Sequence, residues 1–236
     1  MFFISRIVIF VVNIGSILYL LKIGNAIIIK ITCITIIINI ITHFFRWMRR
    51  IAGDYFPLYE EAQRLDTMLA IHGGTQGIHT MGADQFQKFI EVHTYCFPAG
   101  LMLQMTSMMF SGIPELFPDL RLGWMEAGCG WVPYWMQRMD EEYEMRGEVE
   151  APVLKRPPSE YLRDGRWYFH TESDERMLPQ AISEVGEGQI TYASDFPHWD
   201  SSYPDNIDAI LTRDDLSTEV KRKVLGENAR ALYGLR

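Results

Sequence analysis

From residue 51 onward, short apolar runs alternate with amphipathic stretches. Four apolar runs are typical of buried strands, at 67–71, 120–125, 166–171 and 189–193. Helical patterns lie around them, at 57–65, 83–92, 99–111, 132–146, 174–185, 217–225 and 227–233. Pro98 is expected to end one helix, and residues 147–165, which contain three prolines, are expected to form a long loop.

This order predicts an α/β protein, because alternating strands and helices form parallel sheets with right-handed crossovers. Four strands are half of the eight that a closed (β/α)8 barrel needs. The predicted fold is therefore a partial (β/α)8 TIM barrel over residues 51–236. The methionine-rich stripe of helix 99–111 is expected to pack into its core.

Residues 1–50 form a separate apolar, Ile-rich segment. They hold sixteen isoleucines and six basic residues, and all 30 acidic residues come later, from Asp54 onward. Three interpretations stay open. Residues 7–45 could anchor the chain in a membrane, although each apolar run is short for a span. The β-prone runs could instead form a buried strand pair. The segment could also be translated non-coding sequence, since Ile, Phe, Asn and Lys have AT-rich codons.

Composition narrows the classes of partner. A net charge of −8 argues against nucleic acid. The three cysteines have no paired spacing, which is typical of reduced thiols and predicts a cytoplasmic location for residues 51–236. A small-molecule substrate is the expected partner, with homodimerisation and membrane association through residues 7–45 kept open.

Candidate chemistry lies where the predicted strands end. His72, Glu126, Glu172 and Asp195 each follow one strand, and parallel strands end at one face of a barrel. Imidazole and carboxylate groups are the usual ligands of divalent metals. Asp195 could contact such a metal and accept a proton from its bound water. Glu172 has an alternative role as an acid favoured at a helix start.

The segment after the last strand adds pocket candidates. Asp195 is followed within five residues by His198, Trp199 and an aspartate, and Trp131 follows the strand end at Glu126. His198, Trp199 and Trp131 are therefore expected to line a substrate pocket for a flat or apolar molecule. His170 is expected to face the outer helices.

Two longer motifs carry a resemblance to a known family. Residues 110–135 contain the run LRLGWMEAGCGWVPYW, and residues 192–200 read YASDFPHWD. Both are similar to motifs of the amidohydrolase-related family, whose described members resemble aminocarboxymuconate-semialdehyde decarboxylase. The resemblance covers about residues 54–236 and implies a metal-dependent barrel, here strands five to eight. It also implies hydrolysis or non-oxidative decarboxylation of a small carboxylated or cyclic substrate.

The resemblance assigns roles by position. His72 resembles the metal-binding histidine of strand five, and Asp195 resembles the strand-eight aspartate that binds metal and handles the proton. Glu126 stands at the strand-six position where the decarboxylases have a catalytic histidine. The implied cofactor is a divalent metal, zinc before others.

One departure concerns the metal ligands of the first strand. The family carries a His-x-His pair there, and none of the six histidines of this chain forms such a pair. Catalytic zinc usually has three protein ligands. The sequence therefore predicts weak or absent catalysis, and the alternative function is an inactive fragment, membrane-anchored through residues 7–45.

Overall fold

Six parallel strands form one sheet. The computed structural model describes residues 8–11, 35–38, 55–73 and 82–235, the first two ranges by backbone alone. The strands are β1 (Val8–Val11), β2 (Thr35–Ile38), β3 (Leu69–His72), β4 (Leu122–Met125), β5 (Trp167–Thr171) and β6 (Ile190–Tyr192). They are hydrogen-bonded in chain order, and each neighbouring pair is parallel. The predicted α/β class with a parallel sheet is confirmed.

Helices connect and follow the strands. They are α1 (Phe56–Arg64), α2 (Phe89–Phe110), α3 (Ile113–Leu116), α4 (Val132–Glu150), α5 (Pro158–Leu162), α6 (Leu178–Val185), α7 (Asp205–Leu211), α8 (Thr218–Arg222) and α9 (Asn228–Leu232). A 3-10 turn at Ala83–Gln85 precedes α2, and a π-helical turn at Lys223–Glu227 joins α8 to α9.

Side chains of the strands alternate between two faces of the sheet, as the pleat requires. Trp124 and Phe169 belong to the main core beneath the helices, and both are almost fully buried. Met105, Met108 and Met109 of α2 belong to the same core, so the predicted core role of the methionine stripe is confirmed. The opposite face has a smaller cluster, formed by Met68, Ala70, Tyr168 and Leu232.

The register of the sheet decides where the site lies. His72, the last residue of β3, is opposite Met125, the last residue of β4. Thr171 at the end of β5 is opposite Tyr192 at the end of β6. The carboxyl ends of these four strands therefore meet at one edge of the sheet, the edge at which α/β proteins bind ligands.

Several predicted boundaries were wrong. Pro98 lies inside α2 and does not end it, because α2 buries apolar side chains on both sides of the proline, which offsets the lost backbone hydrogen bond. The expected loop at 147–165 contains the end of α4 and the whole of α5. Helix α7 was not predicted.

The first fifty residues are described only at β1 and β2. These two strands pair in parallel, and β2 continues the sheet at β3. The predicted membrane anchor at 7–45 otherwise lies outside the described residues. Among the helices that the structure describes, none has the length and apolarity to cross a membrane.

Candidate active site at the carboxyl ends of the strands

Two carboxylates reach the site through an uncommon backbone conformation. Glu126 directly follows β4 with a φ of 59°, and Asp195 lies three residues after β6 with a φ of 53°. Positive φ is uncommon in residues other than glycine and clusters at functional sites. In both loops the turn occurs at a residue that the sequence had marked as a catalytic candidate.

These carboxylates meet two histidines. The Nε2 atom of His72 lies 2.5 Å from Oε2 of Glu126, and Nδ1 of His198 lies 2.7 Å from Oδ1 of Asp195. The same Nδ1 atom is 3.6 Å from Oε1 of Glu126. The structure thus brings together four of the residues that the sequence had marked as site candidates: His72, Glu126, Asp195 and His198.

The charges of this group are coupled. Burial disfavours a charge on His72, but the hydrogen bond and the negative charge of Glu126 outweigh it, so the pKa of His72 is raised. Burial would raise the pKa of Glu126, yet His72 and His198 hold it below its ordinary value. The pKa of Asp195 is raised by burial and by the hydrogen bond with Glu126, which His198 only partly offsets. Asp195 therefore keeps a proton more readily than Glu126 does.

The donor set fits a divalent metal. Glu126, Asp195 and His198 each offer one ligand atom, and these atoms lie within 4.8 Å of one another. His72 adjoins this group through Glu126, and its Nδ1–H donates to the carbonyl oxygen of Gly73 at 2.5 Å. A metal-ligating histidine commonly donates its other ring N–H in this way. Two imidazoles and two carboxylates suit zinc and manganese alike.

His170 was wrongly expected to face the outer helices. It lies on the inner face of β5 with Tyr168, is 8% exposed, and its Nδ1 accepts the backbone N–H of Glu126 at 3.3 Å. Burial lowers the pKa of His170 to about 4, so the ring is neutral at physiological pH. The alternation along β5 contained this information, because His170 is two residues from Tyr168 and three from the outward-facing Trp167.

Glu175 fixes the loop that carries Glu126, and sequence reasoning missed it. Its carboxylate accepts the backbone N–H groups of Cys129 at 2.8 Å and Gly130 at 2.5 Å, and the Oγ1–H of Thr171 at 2.9 Å. Gly128, with a φ of 64°, lets the loop approach so closely that an added Cβ would lie 2.7 Å from Oε1 of Glu175. The side chain of Glu175 therefore joins the loops after β4 and β5.

A cavity of about 790 Å³ opens beside the metal-ligand candidates. Its lining includes Glu126, Asp195 and the two predicted pocket residues His198 and Trp199. Trp131 is not among its lining residues. Its indole packs against the main core and donates from Nε1 to the carbonyl oxygen of Gly128 at 3.0 Å.

The cavity wall has an aromatic side and an acidic side. Phe89, His93, Phe97 and Trp199 are linked by ring contacts with centroids 5.0–5.9 Å apart. Glu172 lies on the acidic side, and its pKa is raised to about 7 by loss of hydration and by the charges of Glu175 and Asp195. Negative charge is thus concentrated around the ends of β4, β5 and β6.

The chain belongs to the amidohydrolase family, whose model matches residues 44–235. A curated relative, the 2-amino-3-carboxymuconate-6-semialdehyde decarboxylase of Dictyostelium discoideum, is 26% identical over 182 residues. The match covers 76% of this chain and 48% of that protein. The chain therefore spans about half the length of the curated relative.

Solved structures share the fold. The 5-carboxyvanillate decarboxylase of Sphingomonas paucimobilis has a TM-score of 0.65 at 22% identity, covering 86% of this chain and 58% of that one. An amidohydrolase of Mycobacterium avium subsp. paratuberculosis has a TM-score of 0.68 at 15% identity, covering 94% and 54%. A dihydroxybenzoic acid decarboxylase of Polaromonas, with bound manganese and 2-nitroresorcinol, has a TM-score of 0.66 at 22% identity, covering 78% and 54%.

Proposed function

We propose that this chain carries the metal-binding half of an active site that hydrolyses or decarboxylates a small cyclic or carboxylated molecule. The observation that supports it most is the convergence of Glu126, Asp195 and His198, with ligand atoms within 4.8 Å of one another beside a cavity. The relatives named as decarboxylases, one of them with bound manganese, support the same reaction class.

The barrel numbering follows from this proposal. In it, β3, β4, β5 and β6 correspond to strands five to eight of the family's barrel, so His72 is on strand five and Asp195 follows strand eight. His72 and Asp195 would hold the metal, with His198 and Glu126 close enough to complete or orient the site. A bound divalent metal supplies a water of lowered pKa and polarises a substrate oxygen.

The chain's own residues would handle the proton. Asp195 has a raised pKa and is oriented by His198 at 2.7 Å, so it can accept a proton from water or return one to carbon. In hydrolysis Asp195 takes the proton of the attacking water. In decarboxylation the same group protonates the carbon that loses carbon dioxide. Glu126, kept ionised by His72, stabilises positive charge in the site.

The test is metal binding by the full chain. Calorimetric titration with Mn²⁺ and Zn²⁺ should give about one equivalent per chain. Asp195→Asn should weaken the affinity at least tenfold, because it removes a charged ligand. Asp214→Asn is the matched control, since Asp214 is an exposed aspartate outside the cavity.

Two results would overturn the proposal. One is the absence of a stoichiometric metal, and the other is an equal effect of Asp195→Asn and Asp214→Asn on the affinity. The metal-loaded chain is then assayed for carbon dioxide release from aromatic carboxylates and for ring opening of cyclic amides and esters, which separates the two reaction types.

A further inference from the structure

The loop between β6 and α7 carries two of the four residues that meet in the site. It spans residues 193–204 and contains Asp195 and His198, and residues 196–200 are all exposed. Packing against the core therefore cannot fix this stretch of backbone. Asp195 has a φ of 53°, a conformation that persists only where the surroundings impose it, so other contacts must hold the loop.

One backbone oxygen of this loop, the carbonyl oxygen of Ser194, receives two side-chain donors. The hydroxyl of Ser201 donates to it at 2.6 Å, and Nδ2 of Asn206 donates to it at 3.2 Å. A carbonyl oxygen has two lone pairs, so both bonds can form at once. Ser194 directly precedes Asp195, so the peptide group that these donors hold is the one that enters the left-handed turn.

Ser201 also closes the loop on itself. Its backbone N–H donates to the carbonyl oxygen of His198 at 3.1 Å, and the N–H of His198 donates to the carbonyl oxygen of Asp195 at 2.9 Å. The bond from the Ser201 hydroxyl to Ser194 then closes a ring of chain over residues 194–201. Both the acid and the histidine of the site lie within this ring.

Asn206 ties the ring to α7. It lies in the first turn of α7, is 5% exposed, and its backbone N–H donates to the carbonyl oxygen of Ser202 at 3.2 Å. Helix α7 is anchored in the main core through Ile210, which is fully buried. Through Asn206 a packed helix therefore sets the position of Ser194, which the exposed loop alone cannot do.

We infer that Ser201 and Asn206 are positioning residues, which hold Asp195 in its left-handed turn and so place its carboxylate beside His198 and Glu126. Both act through the carbonyl oxygen of Ser194. This inference rests on the proposed function, because that function gives Asp195 its role. Loss of a group that orients a metal-binding side chain commonly lowers metal affinity about 10–100-fold.

The first measurement uses the full chain in EDTA. Ser201→Ala removes the hydroxyl and Ser201→Thr keeps it. Ser202→Ala is the matched control, because Ser202 is an exposed serine of the same loop whose hydroxyl has no hydrogen bond among the described residues. In the native chain NMR should show a strong contact between the amide and α protons of Asp195, the mark of a positive φ.

Ser201→Ala should weaken that contact, whereas Ser201→Thr and Ser202→Ala should keep it. Ser201→Ala should also speed amide hydrogen exchange at His198 about fivefold or more, because the ring of chain opens more often, and the control should stay within about twofold of the native rate.

The second measurement relates this geometry to the site. Calorimetric titration with Mn²⁺ should give an affinity about tenfold lower for Ser201→Ala and for Asn206→Leu, which keeps the size of the side chain and removes its donor. Ser201→Thr should restore the affinity to within about threefold of the native value. A role in folding alone would lower the unfolding temperature and leave the affinity of the folded chain unchanged, so thermal unfolding of each variant is measured alongside.

Two outcomes would contradict the inference. One is an amide–α proton contact of Asp195 in Ser201→Ala that is as strong as in the native chain. The other is an equal Mn²⁺ affinity of Ser201→Ala and Ser202→Ala when the native chain binds the metal. A native chain that binds no metal refutes the proposed function instead, and the measurements in EDTA then decide whether Ser201 holds Asp195 in place.

Discussion

Removing the carboxylate of Glu175 should loosen the loop that carries Glu126. In the native fold this carboxylate accepts the backbone N–H groups of Cys129 and Gly130. Thr171 also donates to it, but its hydroxyl has a second acceptor in the carbonyl oxygen of Glu172 at 3.0 Å. The Glu175→Ala variant therefore leaves two backbone N–H donors without an acceptor, removes a weak hydrogen bond from the Cys129 thiol at 3.3 Å, and leaves the threonine satisfied.

The expected cost follows from those two donors. An unsatisfied buried N–H costs about 1–3 kcal/mol. Glu175 is half-buried, so water can partly replace the carboxylate, and the lower half of that range applies. We expect Glu175→Ala to lower the free energy of unfolding by about 3 kcal/mol. Glu175→Gln, which keeps one acceptor oxygen, should cost about 1 kcal/mol.

Urea unfolding of the full chain, followed by tryptophan fluorescence, measures this difference. Glu148→Ala is the control, because Glu148 is an exposed helical residue of α4, and its loss should stay within about 0.5 kcal/mol. If Glu175→Ala unfolds at the urea concentration of the control, another contact holds the loop. The inference that the Glu175 side chain anchors the loop of Glu126 is then refuted.

Three further changes test other parts of the fold by the same unfolding measurement. Gly128→Ala should cost about 2 kcal/mol, because its Cβ would meet Glu175 at a φ of 64°, and an effect no larger than that of Glu148→Ala would contradict this. Ser217→Ala should cost about 1 kcal/mol, since the Ser217 side chain accepts the N–H of Val220 at the start of α8, and Ser217→Asp should retain stability. His170→Asn should reduce the fall in the free energy of unfolding between pH 6.5 and pH 4, measured in the presence of a metal chelator. In the folded chain the His170 pKa is lowered to about 4, so between pH 6.5 and 4 the proton binds only the unfolded chain, which costs the fold about 3 kcal/mol. If the variant loses stability in acid as steeply as the unmodified chain, this explanation is wrong.

The positions of the site residues along the chain were predictable because a parallel sheet leaves little choice. Apolar runs identified β3 to β6, and parallel strands have their carboxyl ends at one edge. His72, Glu126 and Asp195 follow from that geometry. Their separations do not, because Glu126 and Asp195 approach through left-handed backbone turns that a strand pattern does not encode.

The contacts that hold the site were beyond the sequence pattern for a different reason. Glu175 follows β5 by four residues, and its sequence neighbours suggest only an acidic helix start. Its partners, Cys129 and Gly130, lie some 45 residues earlier and become neighbours only through the β4–β5 pairing. Pro98 failed as a helix boundary for a related reason, since burial of α2 outweighs a local preference.

The concentration of acid at the strand ends bears on metal binding. Glu126, Glu172 and Asp195 lie together at the strand ends, and the pKa of Glu172 is raised to about 7 by loss of hydration and by the charge of its acidic neighbours. Such a group destabilises the fold as the pH rises through its ordinary range toward 7, because the ionised form is favoured in the unfolded chain. A divalent metal beside Asp195 would relieve this repulsion. A divalent metal should therefore bind more tightly as the pH rises through 7, which calorimetric titration on both sides of pH 7 measures; an affinity that does not change would contradict this.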